Sequence, residues 1–96
     1  MNFTIVILEE AKKHTDEAYE YYERSQELLG ERFLQTIEQQ YDKLKDNPQY
    51  YSFLSDRKDL RFLVVPHFPF TIIFEVKDDQ VFIIDVHNTH KNLPNI

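Results

Sequence analysis

A helical pattern of apolar residues from Ala11 to Leu44 places the strongest limit on how this chain can fold. Apolar residues recur every three or four positions, as amphipathic helices require, and the pattern stops at Asn47-Pro48 because proline ends a helix. One continuous helix of about 36 residues would be ~54 Å long, whereas a domain of this size has a radius of gyration of ~12.5 Å. We therefore predict a turn near Ser25 and an antiparallel helical hairpin. The two stripes are Ala11, His14, Ala18, Tyr21 and Tyr22, then Leu29, Phe33, Ile37, Tyr41 and Leu44.

Strand-like segments lie on both sides of the helical pattern. A continuous apolar and β-branched run over 3–8 predicts a first strand, and the runs 61–65, 70–76 and 81–86 predict an antiparallel meander. The fold class is therefore α+β, in a single domain over 1–96: an N-terminal strand, a helical hairpin, and three strands that complete one twisted sheet.

Strand alternation predicts which residues of the meander share a face. The face that covers the helices is predicted to carry Phe70, Ile72, Phe74, Val76, Phe82, Ile84 and Val86. The opposite, wetter face is predicted to carry Arg61, Thr71, Ile73, Glu75, Val81, Ile83, Asp85 and His87. We interpret this second face as the working surface, because polar side chains at the end of a rigid strand favour chemistry or binding.

The charge argues against broad adhesion to nucleic acid, since the formal net charge is −6. Residues 1–50 hold 6 Lys/Arg against 11 Asp/Glu, whereas residues 51–96 hold 5 against 6, so an anion site belongs in the second half. The chain has no cysteine and no apolar run near the roughly 20 residues that cross a bilayer. Its start lacks a basic leader. We predict a soluble, cytoplasmic protein without a cofactor.

Several short motifs, in a fixed order, carry a resemblance to a known family. They are Leu8-Glu9-Glu10-Ala11, Gly30-Glu31-Arg32-Phe33, Leu44-Lys45-Asp46-Asn47-Pro48, Phe68-Pro69-Phe70 and the strand-end His87. The chain resembles the RelE/ParE superfamily of toxins from bacterial type II toxin–antitoxin systems, closest to its ParE-like branch. The resemblance implies a growth-arresting toxin held inactive by a co-expressed antitoxin. RelE-like members cut messenger RNA on the ribosome, and ParE-like members poison DNA gyrase without being hydrolases.

The chain departs from the family pattern after its strand-end histidine. Relatives usually place an arginine shortly after this position, where His90 or Lys91 stands here, and neither side chain reproduces the planar fork of a guanidinium. The family also tends to be basic. We favour a ParE-like poison that acts through protein contacts. The alternatives are a ribosome-dependent endoribonuclease and a toxin-like domain that has lost activity and serves as an interaction module.

Ribonuclease chemistry requires a base, an acid and a cation beside the reacting phosphate. His87 and His90 are the candidates for the first two roles, and Arg61 or Lys91 for the third. Asp85 would repel phosphates, and the simpler interpretation leaves His87 bonded to main chain. His87-x-x-His90 supplies too few ligands to predict a metal site.

Cations and tyrosines are the candidates for partner binding. Arg57, Lys58 and Arg61 form a basic cluster that suits anionic groups of a partner, although Asp56 and Asp59 predict ordinary surface pairing for the first two. Tyr19, Tyr50 and Tyr51 are candidates for an apolar patch that receives a partner helix or strand. Burial of these rings within the fold is the alternative.

Overall fold

The fold is one four-stranded sheet with a helical hairpin packed on it. The computed structural model describes residues 2–90. The elements are β1 (Thr4–Ile7), α1 (Glu9–Ser25), α2 (Leu29–Asp46), a 3-10 turn (Pro48–Tyr50), β2 (Arg61–Val64), β3 (Phe70–Lys77) and β4 (Gln80–Asn88). α1 ends at Ser25, α2 begins at Leu29 and the two helices pack against each other, so the predicted turn and helical hairpin are confirmed.

The hairpin turn is stabilised by a carboxylate of α1. Glu23 accepts the backbone N–H groups of Leu28 at 3.1 Å and Gly30 at 3.0 Å, which satisfies donors that the first turn of α2 leaves without helical partners. Leu28 stands just before α2 in the left-handed region, with φ 70°. Gly30 is packed so closely that an added Cβ would lie 2.8 Å from the carbonyl oxygen of Tyr19. The turn therefore depends on the one glycine of the chain.

The strand order in the sheet is β1-β4-β3-β2. β1 runs parallel to β4 and pairs with it only from Gln80 to Ile83, while the other neighbours are antiparallel. Within residues 2–90, the remainder of β4 has no strand on that side, and α1 packs against it instead. This arrangement brings α1 beside the end of β4.

The core lies between the hairpin and one face of the sheet. Phe33 and Leu44 of α2 are fully buried there, and an aromatic cluster closes one end of the core, with Tyr22 and Phe33 in ring contact with Phe68 and Phe70. The other fully buried apolar residues of this core are Ala11, Ile72, Phe74, Val81, Ile83 and Val86.

The predicted faces of β4 were wrong in part, because a β-bulge interrupts the ladder. Phe74 pairs with Ile83 and Ile73 pairs with Asp85, so Ile84 is an extra residue with no partner of its own. An extra residue reverses the alternation on either side of it. Val81 and Ile83 are therefore fully buried core residues together with Val86, whereas Phe82 and Ile84, predicted to face the helices, are only half-buried.

The predicted wet face is also corrected by the structure. Thr71, Ile73, Asp85 and His87 are between 0% and 9% exposed, so this stretch of the second face is not open to solvent. Arg61 was predicted to join it, but Arg61 pairs with Phe74 and so shares the face that packs on the helices. The exposed surface near the end of β4 lies instead along its boundary with α1.

Candidate functional site

The three candidates at the end of β4 have different surroundings. His87 is 7% exposed, and its Nδ1 lies 3.9 Å from Oδ2 of Asp85. His90 is exposed and lies two residues beyond the end of β4, where its backbone N–H donates to Oδ1 of Asn88 at 2.9 Å. Lys91 lies outside the described residues. Within residues 2–90, the Asp85 carboxylate therefore lies close to the His87 imidazole.

Arg61 lies apart from these histidines. His87 pairs with Thr71, which pairs with Val64, three residues along β2 from Arg61; ordinary strand spacings then separate the Cα atoms of Arg61 and His87 by roughly 14 Å. Arg61 and His87 also project from opposite faces of the sheet. The structure therefore does not bring Arg61, one of the two predicted cations, to His87; the other, Lys91, lies outside the described residues.

The guanidinium of Arg61 is engaged with the segment that follows α2. It donates to the carbonyl oxygens of Tyr51 at 2.7 Å and Gln49 at 3.2 Å. Its central carbon lies 4.0 Å from the centre of the Phe53 ring, within the range of a cation–π contact. These contacts give Arg61 a structural role.

The other two cations of the basic cluster are also held locally. Arg57 donates to both carboxylate oxygens of Asp59, at 2.9 Å and 2.8 Å, which is the surface pairing anticipated from the sequence. Hydrogen bonds from Arg57 lower the pKa of Asp59. The ammonium of Lys58 lies 5.8 Å from the centre of the Phe53 ring. Arg57 and Lys58 remain at the surface as candidate partner contacts.

The candidate tyrosines do not form one patch. Tyr19 is half-buried beside Gly30, at the start of α2. Tyr50 and Tyr51 follow the far end of α2, a helix about 27 Å long. Tyr50 is 77% exposed, while Tyr51 packs edge-on against Phe74, with ring centres 6.1 Å apart. Tyr50 is the candidate ring that is most accessible to a partner.

A cleft that the sequence did not reveal lies between α1 and the end of β4. Its volume is about 570 Å³. Glu17 and Tyr21 line it from α1, and His87, Asn88 and His90 line it from the opposite side. Tyr21 was predicted to lie on the buried stripe of α1, but it is 67% exposed. The cleft forms because β1 stops pairing at Ile83 and leaves α1 to flank the rest of β4.

A histidine–carboxylate pair joins the two sides of the cleft. Nδ1 of His14 on α1 donates to Oδ1 of Asp85 on β4 at 2.6 Å, and Nε2 of His14 lies 3.5 Å from Oε2 of Glu10. Asp85 is 4% exposed. The signal in the sequence was a histidine on an otherwise apolar stripe and a carboxylate within a hydrophobic strand, but 71 residues separate the two, so only the fold reveals the pair.

The described residues contain no group of three His, Cys, Asp or Glu side chains that could hold a metal ion. Within the same residues, no helix is long and apolar enough to cross a membrane. The candidate functional surface within residues 2–90 is the mixed polar and aromatic cleft, where carboxylates lie near the imidazole of His14.

Comparison with known proteins gives a family match and a structural match. A family model described as the ParE toxin of type II toxin–antitoxin system, parDE, matches residues 5–93. The fold is similar to a solved structure titled "Chromosomal ParDE TA system from P. aeruginosa", with a TM-score of 0.73 and 21% sequence identity, over 90% of this chain and 95% of that chain. At this identity the structural likeness concerns the fold alone. The comparison with curated proteins gave no significant match.

Proposed function

The chain belongs to the ParE toxin family of type II toxin–antitoxin systems, and on this premise we propose that it arrests bacterial growth by binding DNA gyrase. The observation that carries the proposal is the family match over residues 5–93, which includes both helices, β2, β3, β4 and all of β1 except Thr4. Membership of the family also implies a cognate antitoxin protein as a partner. A gyrase target places the protein in the cytoplasm.

The surroundings of the candidate residues support binding in preference to catalysis. Cleavage of RNA beside the 2′-hydroxyl needs a cation near the reacting phosphate. Of the candidate cations within residues 2–90, Arg61 donates to main-chain carbonyl oxygens away from His87. His87 is buried near the carboxylate of Asp85, which would repel a phosphate approaching that imidazole. These contacts favour a toxin that works through protein contacts over the ribosome-dependent endoribonuclease.

The proposal is tested by inducing the protein in a bacterial host, alone and with the product of the neighbouring gene. We expect growth arrest when the protein is induced alone and recovery when the neighbouring product is present. Mapping the 5′ ends of messenger RNA after induction should show no new cleavage sites, for the wild type and for His87→Ala alike. His67→Ala, in an exposed turn, is the matched control.

Two outcomes contradict the proposal in different ways. New 5′ ends that disappear in His87→Ala, but persist in His67→Ala, indicate the ribonuclease. Unaffected growth indicates an inactive interaction module. Binding of the antitoxin is tested in a separate experiment. The product of the neighbouring gene should co-purify with the protein at mild salt.

A further inference from the structure

The cleft between α1 and the end of β4 has carboxylates close to it on both elements. Glu17 lines it, and the carboxylates of Glu10 and Asp85 flank His14, which also lines it. Among the described lining residues there is no lysine or arginine. The local field therefore attracts a cation and repels a phosphate.

An exposed aromatic ring stands at the same cleft. Tyr21 is 67% exposed and meets Tyr22 edge-on, with ring centres 5.4 Å apart. Tyr22 is itself held by ring contacts with Phe33 and Phe68, so Tyr21 packs against a ring that belongs to the aromatic cluster of the core. An exposed tyrosine one helical turn from a carboxylate, as Tyr21 is from Glu17, is suited to a guanidinium or ammonium group, which can make a cation–π contact and an ion pair together.

The floor of the cleft is apolar. Ala18 of α1 lines it together with Phe70 and Val86 of the sheet, and all three are core residues. A binding segment would therefore need apolar side chains next to its cation. The volume of about 570 Å³ is enough for a few side chains, because small-ligand sites span roughly 300–1,000 Å³.

We propose that this cleft binds an arginine or lysine of the antitoxin, presented between apolar residues, with Glu17 and Tyr21 as the residues that select the cation. The inference rests on the proposed function, since it names the chemistry of the partner that family membership implies. In a pair of a basic toxin and an acidic antitoxin, the toxin supplies the positive charge. Here the toxin cleft supplies the negative charge and the antitoxin the positive charge, in keeping with the net charge of −6 of this chain. The same carboxylates disfavour a nucleic-acid phosphate in this cleft.

The first test uses peptide probes and NMR. Two ten-residue peptides, alike except for a central arginine or glutamate between leucines, are titrated into ¹⁵N-labelled protein. We expect saturable shifts of the amides of Glu17, Tyr21 and Asn88 with the arginine peptide, and none with the glutamate peptide. Equal shifts with both peptides, or no saturable shift in the cleft with the arginine peptide, would overturn the inference.

The second test measures the affinity of the complete protein for the co-purified antitoxin. Glu17→Gln should weaken binding by about fivefold, the upper range for a partly exposed ion pair, and Tyr21→Ala should weaken it by a similar factor. Glu27→Gln removes the same charge from an exposed position after α1 and should change affinity less than twofold. Added salt should lower the affinity of the wild type for the antitoxin more than that of Glu17→Gln.

The two proposals fail separately. If no antitoxin co-purifies, the proposed function is contradicted, and the peptide titration still decides what the cleft binds. If the antitoxin binds Glu17→Gln and Tyr21→Ala as tightly as the wild type, the inference about the cleft falls and the toxin–antitoxin function stands.

Discussion

Arg61 ties the segment after α2 to the edge of the sheet. Sequence reasoning identified its fixed direction in a strand but assigned it to the wrong face, because the register with Phe74 is set by a pairing that the sequence of β2 does not reveal. Its two bonds to carbonyl oxygens and its contact with Phe53 use donors that a phosphate would otherwise need. A residue of this kind affects stability before it affects function.

Replacing Arg61 tests this role. Arg61→Met should lower the free energy of unfolding by about 1–3 kcal/mol, because it removes two charge-assisted hydrogen bonds. Lys58 also lies near the Phe53 ring, but its ammonium makes no side-chain hydrogen bond within residues 2–90. Lys58→Met should therefore change the free energy of unfolding by less than about 0.5 kcal/mol. Urea unfolding of the three proteins measures both values. Equal stability of Arg61→Met and wild type would show that Arg61 is free for another task.

Tyr41 should make the fold sensitive to high pH. Burial raises the pKa of Tyr41 to about 12, whereas a tyrosine in the unfolded chain titrates near 10. Tyr41 therefore makes its full contribution to the free energy of unfolding below about pH 10. This contribution falls as pH rises toward 12, by about 1.4 kcal/mol per pH unit, because only the unfolded chain releases the proton.

The measurement compares urea unfolding of wild type and Tyr41→Phe at pH 9, 10.5 and 11.5. The free energy of unfolding of Tyr41→Phe should rise relative to that of the wild type as pH increases. Tyr50→Phe, at an exposed position, should show the same pH dependence as the wild type. Parallel pH profiles for wild type and Tyr41→Phe would contradict the burial of that hydroxyl.

The helical hairpin was the element most fully predicted from the sequence, since apolar spacing, chain length and Pro48 together allow few alternatives. Apolar spacing does not predict the close contact at Gly30 or the cap from Glu23, because both depend on how the two helices meet. The bulge at Ile84 was not predictable either. Ile83 and Ile84 are chemically identical, so no pattern of polarity marks which of them leaves the ladder.

Gly30→Ala tests the close approach of the helices. Alanine normally favours a helix by ~1 kcal/mol over glycine, but here its Cβ would lie 2.8 Å from the backbone oxygen and 2.9 Å from a ring carbon of Tyr19. We expect a net loss of about 1–3 kcal/mol of stability. Gln35→Ala, at an exposed position of α2, should be close to neutral. A stabilised Gly30→Ala variant in thermal unfolding would contradict this packing.

At the scale of the whole molecule, the sequence led to the fold and the family through the order of its motifs, but not to the cleft. The cleft depends on three structural features. β1 pairs with β4 only as far as Ile83, α1 lies beside the rest of β4, and His14 is hydrogen-bonded to Asp85. Tyr21 becomes exposed through the same arrangement. Contacts between residues so far apart in the chain follow from topology and have no local signature.

The proposed poisoning of DNA gyrase through protein binding can be measured with purified components. The protein is incubated with DNA gyrase, ATP and supercoiled plasmid, and covalent cleavage complexes are released with detergent and protease. We predict that linear DNA accumulates, that the cognate antitoxin suppresses it, and that messenger RNA in a translating extract stays intact. Uncut plasmid together with ribosome-dependent RNA cleavage that is lost in His87→Ala would contradict the account.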